Sequence, residues 1–358
     1  FFHASLILRE ETRSALARVA DIERILGRIP LGKATPRDLS GLKESLKASR
    51  ELLELFREGD IQVPEGFVEG IGNFDDVVAL LDQGIASEAT GEPGDGTVIR
   101  EGFSKELDKL QEAAGNAREF IAGLERKERK ATGIRSLRVG YNKVFGYYIE
   151  VSKANLGQVP ESYLRRQTLV NGERYITPEL KEYQSLILNA RERIYDLERD
   201  LYSQVCGRIN QESKGLKALA RRLARMDVLA SLAEVAVRHG YVRPKLDEDG
   251  GIEIKGGRHP MVEGVLPAGK FVPNDLKIST DDAQVLIITG PNMSGKSTYI
   301  RQAGLITLMA QIGSFVPADS AKIGMVDRIF TRVGLQDDLA MGQSTFMVEM
   351  VETAAILN

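Results

Sequence analysis

The chain has 358 residues, of which 42% are hydrophobic, enough to fill two to four folded domains and to exclude a disordered protein. Its formal net charge of −3 means that any nucleic-acid-binding surface has to be local. The single cysteine, Cys206, excludes a disulfide scaffold and a cysteine-rich zinc site, and fits a reducing compartment. His3, His239 and His259 are too isolated in sequence to form a metal site.

The first hundred residues show helical periodicity. Apolar residues recur every three or four positions from Arg13 to Ile29 and from Pro36 to Arg57, which predicts two amphipathic helices. Thr35 is a candidate N-cap before Pro36. A short helix is predicted from Phe74 to Gly84, followed by a turn-rich surface segment.

Two later segments carry a heptad pattern, in which apolar residues alternate at three- and four-residue steps. The first consists of Leu107, Leu110, Ala114, Ala117, Ile121 and Leu124, and the second of Leu180, Tyr183, Ile187, Ala190, Ile194, Leu197 and Leu201. The pattern predicts two long helices, the second of about 30 residues, that form an antiparallel arm carrying the intervening segment at its tip. Two independent bundle helices are the alternative.

The segment between these helices, Gly133 to Lys181, is rich in β-branched and aromatic residues and predicts a small β-rich module. It holds eight basic residues (Arg135, Arg138, Lys143, Lys153, Arg165, Arg166, Arg174 and Lys181) against four acids, and five of the ten tyrosines. Such a surface is suited to the phosphate backbone of nucleic acid. A solvated charged face over a small tyrosine core explains the same composition, and the residues alone do not separate the two interpretations.

The C-terminal third changes to an α/β pattern that predicts half of a nucleotide-binding domain. After a helix from Gly215 to His239, the predicted elements are a short strand Ile252 to Ile254, a buried strand Gln284 to Thr289, a helix Thr298 to Gly313, a strand Val326 to Val333 and a helix Thr345 to Asn358.

The segment after the predicted buried strand has the form GxxxxGK[ST] and is followed by a helix-compatible run, which is the context of a phosphate-binding loop. Gly290 and Gly295 allow the backbone to curl so that N–H groups point inward at a helix N-terminus. Lys296 would reach the β and γ phosphates, and the Ser297 hydroxyl would hold Mg²⁺. An ordinary glycine-rich turn between strand and helix is the alternative.

At these residues the chain resembles the MutS family, the mismatch-recognition ATPases of bacterial DNA repair. The loop from Thr289 to Tyr299 resembles the family's phosphate loop, which more often has Gly where Ser294 stands. Further similar segments are Val139 to Val151, Arg166 to Leu169, Arg258 to Pro260, Phe271 to Asn274, Asp327 to Gly334, Asp337 to Leu339 and Ser344 to Met350. The resemblance runs from about Leu16 to Asn358.

The resemblance implies a multidomain α and α/β protein, with a helical core, long antiparallel lever helices, a small β-rich clamp inserted at their tip and a truncated P-loop ATPase domain of the ABC type. The implied boundaries are residues 1–101 for part of the core, 102–132 for the ascending lever helix, 133–178 for the DNA clamp, 179–240 for the descending lever and core helices, and 241–358 for the ATPase domain up to the Walker B strand.

The resemblance also implies site residues. The loop residues Gly290, Pro291, Asn292, Met293, Ser294, Gly295, Lys296, Ser297 and Thr298 would hold the phosphates of ATP or ADP with Mg²⁺, Phe271 and Val272 would contact the adenine, and Ser344 would reach the γ-phosphate bound by the other subunit. For the clamp, we expect Arg165 and Arg166, and then Lys143 and Lys153, to contact DNA. Taken alone, Ser344 is an ordinary helix cap and Phe271 an ordinary core residue. No catalytic acid or base is assigned.

The function implied by the resemblance is ATP-dependent recognition of mismatched double-stranded DNA. The protein would act in the bacterial cytosol as a homodimeric sliding clamp joined through its ATPase domains, and would call downstream mismatch-repair proteins. A MutS-type clamp for branched or recombining DNA, a non-catalytic DNA-binding scaffold and a transporter ATPase are the alternatives. Because the mismatch-reading domain and the Asp-Glu strand that orients the attacking water are absent from this sequence, we expect a fragment that binds nucleotide weakly and hydrolyses it slowly at most.

Overall fold

The computed structural model describes residues 1–58, 63–64, 67–68, 71–87, 89, 91–142, 146–248, 250–267, 269–291, 293–331, 350, 353–354 and 356. The chain divides into two compact units. The first unit comprises Phe1–Ser14, Ile61–Val63 and Ala224–Asn358, and the second comprises Ala15–Asp60 and Pro64–Leu223. None of the described helices has an apolar stretch long enough to cross a membrane.

Helices alternate with two groups of short strands along the chain. The helices are α1 Leu6–Leu16, α2 Ile22–Arg28, α3 Pro36–Glu58, α4 Asp75–Gly84, α5 Lys105–Thr132, α6 Pro178–Gln211, α7 Ser213–His239, α8 Pro260–Val265 and α9 Lys296–Gln311, with a 3-10 helix at Lys153–Gln158. The strands are β1 Arg138–Asn142, β2 Gly146–Ser152, β3 Leu164–Thr168, β4 Gly172–Ile176, β5 Lys245–Asp247, β6 Ile252–Gly257, β7 Asn274–Ile278 and β8 Ser320–Gly324.

The N-terminal apolar periodicity predicts helix α3 and its cap, but it misses the break between helices α1 and α2. A single helix from Arg13 to Ile29 is wrong, because α1 ends at Leu16 and the Asp21 carboxylate starts α2 by accepting from the Arg24 N–H at 2.9 Å. The predicted Thr35 cap of α3 is confirmed, since Thr35 Oγ1 accepts from the Asp38 N–H at 3.2 Å and the Asp38 carboxylate accepts from the Thr35 N–H at 2.9 Å. Such reciprocal bonds satisfy two backbone donors at the helix start.

Helices α5 and α6 of the second unit pack against each other in antiparallel directions, as the heptad pattern predicts. The Lys127 ammonium contacts the Glu179 carboxylate at 2.8 Å, and further along the pair the Arg193 guanidinium lies 3.3 Å from Glu106. Between them, Phe120 stacks on Tyr183. Because residue numbers rise along one helix as they fall along the other, the two helices run in opposite directions.

A four-stranded antiparallel sheet with the order β1-β2-β4-β3 connects α5 to α6. Its core is continuous with the adjoining helix ends and contains Leu124, Leu137, Ile149, Leu180 and Ile187. Tyr163 and Tyr175 are also buried there. Part of the tyrosine content of this segment therefore fills a core, which was the less specific of the two interpretations.

The first unit contains a mixed sheet with the order β5-β8-β6-β7, in which only the β5 and β8 pair is parallel. Helix α9 packs on it through Ile306 and Ala310, which join Ile254, Val316 and Ile323 in one buried cluster. The predicted short strand at Ile252 and the predicted helix after the phosphate loop are both confirmed.

Two strand predictions in this unit are wrong over their described residues. Gln284 to Thr289 is not a strand, and Val285 and Ile287 are 79% and 87% exposed. Within the described part of Val326 to Val333, residues 326–331 form no strand either; the strand lies earlier, at Ser320–Gly324. A buried strand needs neighbours to pair its backbone groups, and no described strand pairs with residues 284–289. Of the predicted helix 345–358, the described residues 350, 353, 354 and 356 are helical.

Candidate phosphate-binding loop and basic surface

The glycine-bounded loop curls immediately before helix α9 of the first unit. Gly290 and Gly295 have φ values of 152° and 93°, and Gly295 is the N-cap of the 16-residue helix. A Cβ at Gly290 would lie 3.1 Å from Ser294 Oγ, so that a side chain would be both strained and crowded there. The first-turn N–H groups of α9, which have no partner within the helix, therefore lie beside this loop at a positive helix end, where anions are stabilised.

The Lys296 side chain folds back over this loop. Its ammonium donates to the carbonyl oxygens of Gly290 at 2.6 Å and Pro291 at 2.7 Å. Neutral carbonyl oxygens are weaker partners for an ammonium than phosphate oxygens are. Lys296 is thus held at the loop by contacts that a bound phosphate group could replace, which fits an anion such as the phosphates of ATP.

The other predicted loop residues surround this contact. Pro291, Met293, Ser294 and Ser297 are exposed, and Thr298 is half-buried on the first turn of α9. Asn292 lies outside the described residues. An exposed Ser297 hydroxyl beside Lys296 is an available oxygen ligand for Mg²⁺, which prefers hard oxygen donors.

A hydrogen bond connects α9 to the segment predicted to contact adenine. The Tyr299 hydroxyl donates to the Asp275 backbone oxygen at 2.8 Å. Burial, with a smaller effect of the Asp275 carboxylate, raises the pKa of Tyr299, so the hydroxyl remains a donor at neutral pH. Phe271, which is half-buried, and Val272, which is 75% exposed, precede Asp275 by three or four residues. The sequence interpretation gave Tyr299 no such role.

Two of the basic residues predicted to contact DNA, Arg165 and Arg166, lie on the β1-β2-β4-β3 sheet of the second unit. Arg165 and Arg166 are exposed on the edge strand β3, where the register shifts between Arg165 and Gln167, so Arg166 is the extra residue of a bulge. Arg165 is 3.4 Å from the Glu173 carboxylate. Lys153 is exposed beside the β3–β4 turn, where its N–H donates to Asn171 O.

Arg174 differs from these residues because its charge is already used. Its guanidinium is bonded to Glu150 and Gln167 at 3.0 Å each and lies 4.1 Å from the centre of the Tyr148 ring. It therefore stiffens the sheet face rather than offering a free cation. Two other predicted contact residues, Lys143 and Ser344, lie outside the described residues.

Comparison with known protein families accounts for both regions together. Residues 102–193 match MutS family domain IV, and residues 286–358 match MutS domain V. Sequence similarity to individual MutS proteins extends over the whole chain. The chain belongs to the MutS family. The first match covers α5, the inserted sheet and the first half of α6, and the second begins just before the glycine-bounded loop.

Three MutS relatives illustrate the extent of the similarity. The DNA mismatch repair protein MutS of Dehalococcoides mccartyi strain CBDB1 is 50% identical over 361 residues, covering 100% of this chain and 42% of the relative. The corresponding protein of Acetivibrio thermocellus is 50% identical over 99% of this chain and 41% of its own length, and that of Methanosarcina mazei is 48% identical over 98% and 39%. The chain thus spans about two fifths of the length of these curated relatives.

Proposed function

We propose that this chain acts in DNA mismatch repair as the part of a MutS-type protein that couples nucleotide binding to a grip on duplex DNA. The observation that carries the proposal is the identity of about 50% over the full chain with proteins named DNA mismatch repair protein MutS. The curled loop at Gly290–Gly295 and the exposed arginines on β3 supply the two chemical features that this function requires.

At the nucleotide site, the backbone N–H groups before α9 and the Lys296 ammonium would bind the phosphates, and the Ser297 hydroxyl would hold Mg²⁺. The metal would supply charge neutralisation between phosphate oxygens. The side chains of Phe271 and Val272 would contact the adenine, and Tyr299 would keep their segment joined to α9 through Asp275. ATP hydrolysis belongs to the whole parent protein in this proposal.

At the DNA site, α5 and α6 would act as the lever and the sheet at residues 133–178 as the clamp. Arg165, Arg166, Lys153 and Lys143 would bind backbone phosphates, which positions the protein without reading sequence. Two subunits would associate through residues 241–358, with Ser344 contacting the partner's nucleotide. The assembly would work in the bacterial cytosol with downstream repair proteins.

The clamp assignment is tested by the salt dependence of DNA binding. Fluorescence anisotropy with a labelled homoduplex and a matched mismatched duplex would be measured over a salt series. Because each phosphate contact releases counterions, Arg165→Ala/Arg166→Ala should flatten the slope of log K against log salt by roughly 2 on both duplexes. Lys217→Ala/Arg221→Ala removes two exposed cations of α7 and is the matched control. An unchanged slope in the Arg165/Arg166 variant would refute the assignment.

A further inference from the structure

The second unit contains a cavity of about 880 Å³ between the α2–α3 loop, the turn at Gly91–Pro93 and helix α6. Three cations line it, Lys33, Arg37 and Arg199, against one carboxylate, Glu92. The cavity therefore has a local charge of +2 on a chain whose net charge is −3. A concave surface of this size and sign is suited to an anion as large as a nucleotide.

Lys33 and Arg37 are available for a ligand, unlike the neighbouring basic residues. Both are exposed, and neither forms an ion pair with any residue that the structure describes. Arg24 and Arg28, from the preceding helix, lie instead 3.6 and 3.4 Å from the Asp38 carboxylate. The Asp38 carboxylate thus neutralises Arg24 and Arg28, while the charges of Lys33 and Arg37 at the cavity are not neutralised by a described carboxylate.

The loop that carries these two cations is fixed on both sides. The Lys33 carbonyl accepts from Arg28 Nε at 3.0 Å and Nη2 at 2.8 Å, and the next carbonyl, of Ala34, accepts from the Tyr202 hydroxyl at 3.0 Å. The Tyr202 bond is buried. Because the backbone is held before a ligand arrives, binding would cost little ordering entropy.

The opposite wall is equally fixed. The Glu198 carboxylate accepts from the N–H groups of Gly94 and Gly96 at 2.8 and 2.7 Å, directly after the lining residues of the turn. A Cβ at Gly94 would lie 2.4 Å from the Tyr195 ring, so the turn rests on that ring. The same tyrosine holds the third cation, since Arg199 Nη1 donates to its hydroxyl at 3.0 Å and the guanidinium lies 5.3 Å from its ring centre.

We propose that this cavity binds a phosphate-bearing ligand, with Lys33 and Arg37 contacting the phosphate and Arg199 and Tyr195 contacting the group attached to it. Arginine and aromatic side chains stack on flat rings, and lysine binds phosphate as a point charge. The ligand is either a free nucleotide or a nucleotide unit of single-stranded nucleic acid, which share this chemistry.

The test uses the full chain with Lys296→Ala, so that the glycine-bounded loop contributes little phosphate binding. Inorganic pyrophosphate without magnesium is titrated by calorimetry at low salt. Saturable binding is expected, and Lys33→Ala/Arg37→Ala should weaken it at least tenfold. Lys109→Ala/Arg118→Ala removes two exposed cations of α5 that form no ion pair with described residues, and should leave the affinity unchanged.

A five-nucleotide single strand, titrated into the same three proteins, distinguishes the two sources. If the Lys33/Arg37 variant loses more affinity for the oligonucleotide than for pyrophosphate, which represents the phosphates of a free nucleotide, the ligand is nucleic acid; the reverse identifies a free nucleotide. Absence of saturable binding for both probes, or equal losses in the Lys33/Arg37 and Lys109/Arg118 variants, would overturn the proposal. Melting curves of all variants verify that each is folded.

Discussion

Phe120 of α5 and Tyr183 of α6 stack face to face, with ring centres 3.7 Å apart and planes inclined by 13°. The Lys127 ammonium lies 5.2 Å from the centre of the Phe120 ring, which adds a cation–π contact to the stack. This stack lies between the ion pairs that join the two helices, so it reports directly on their antiparallel packing.

The stack should contribute a measurable coupling energy to stability. In a double-mutant cycle with Phe120→Leu and Tyr183→Leu, we expect about 0.5–1.5 kcal/mol of coupling in the free energy of unfolding, because aromatic pairs interact by that amount beyond area burial. Urea denaturation followed by helical circular dichroism provides the measurement. A control cycle that pairs Phe120→Leu with Leu188→Ala, a substitution at an exposed residue, should show no coupling. Equal coupling energies in the two cycles would mean that the stack is not specific.

Glu198 of α6 provides the second prediction. Its carboxylate is fully buried and accepts from four backbone N–H groups, those of Gly94, Gly96, Val98 and Ile99, at 2.7–3.0 Å. In Glu198→Gln, one oxygen becomes an amide that faces these donors with its own hydrogens. Since hydrogen bonds to a charged acceptor contribute about 1.5–3 kcal/mol each, the variant should lose about 3 kcal/mol or more of stability.

Amide hydrogen exchange measures directly how strongly the Glu198 carboxylate protects the backbone amides that donate to it. In Glu198→Gln, the amides of residues 94–99 should exchange at least tenfold faster, while amides in the β1-β2-β4-β3 sheet change less. Glu192→Gln changes an exposed carboxylate of the same helix and serves as the control. Protection of 94–99 equal to that of the unmodified chain would show that the carboxylate does not hold this turn.

His259 gives a prediction about pH. Burial lowers the pKa of His259; a hydrogen bond of the ring with its own backbone opposes this shift, and the nearby Arg301 cation adds a smaller lowering effect. Its Nδ1 accepts from the Val262 N–H at 3.4 Å and so caps α8, a bond that only the neutral ring can make. A lowered pKa means that the folded state binds the proton less well, so stability is full above the ordinary histidine pKa of about 6.5 and falls as the pH drops below it.

Thermal unfolding at pH 7.5 and pH 5.5 tests this linkage. The unmodified chain should melt at a lower temperature at pH 5.5, and His259→Asn, which keeps a capping side chain, should show a smaller difference between the two pH values. His239→Gln removes an exposed histidine of the same unit and should retain the full difference. If His259→Asn shows the same difference in melting temperature between the two pH values as the unmodified chain, groups other than His259 cause the pH dependence.

The sequence predicted the paired helices well because the signal is local. Leu107, Ala114, Ile121 and Leu124 are all buried on α5, at the three- and four-residue steps of the heptad pattern. On α6 the pattern failed after Ile194, where the buried stripe moves to Glu198 and Tyr202 instead of Leu197 and Leu201. A lone carboxylate suggests a surface position, and the amides that satisfy Glu198 lie about a hundred residues earlier in the chain.

For the candidate sites, sequence predicted the local backbone and missed the long-range contacts. The positive φ values of Gly290 and Gly295 follow from the spacing of the motif. The Tyr299 bond to Asp275 joins residues 24 apart in sequence and follows from no motif. The apolar run 284–289 has the composition of a buried strand, but a strand depends on partners supplied by other parts of the chain. The roles assigned to Phe271, Val272, Arg165 and Arg166 stay predictions.

The most direct test of the account is equilibrium binding of a fluorescent ATP analogue to the chain in the presence of Mg²⁺. We predict saturable binding that Lys296→Ala weakens at least tenfold, because the variant lacks the ammonium that contacts Gly290 and Pro291 and would bind the phosphates. Lys277→Ala removes an exposed lysine from β7 of the same unit and should bind as the unmodified chain does. Equal affinity in the Lys296 and Lys277 variants, or no saturable binding by the unmodified chain, would contradict the assignment of Gly290–Thr298 as a nucleotide site.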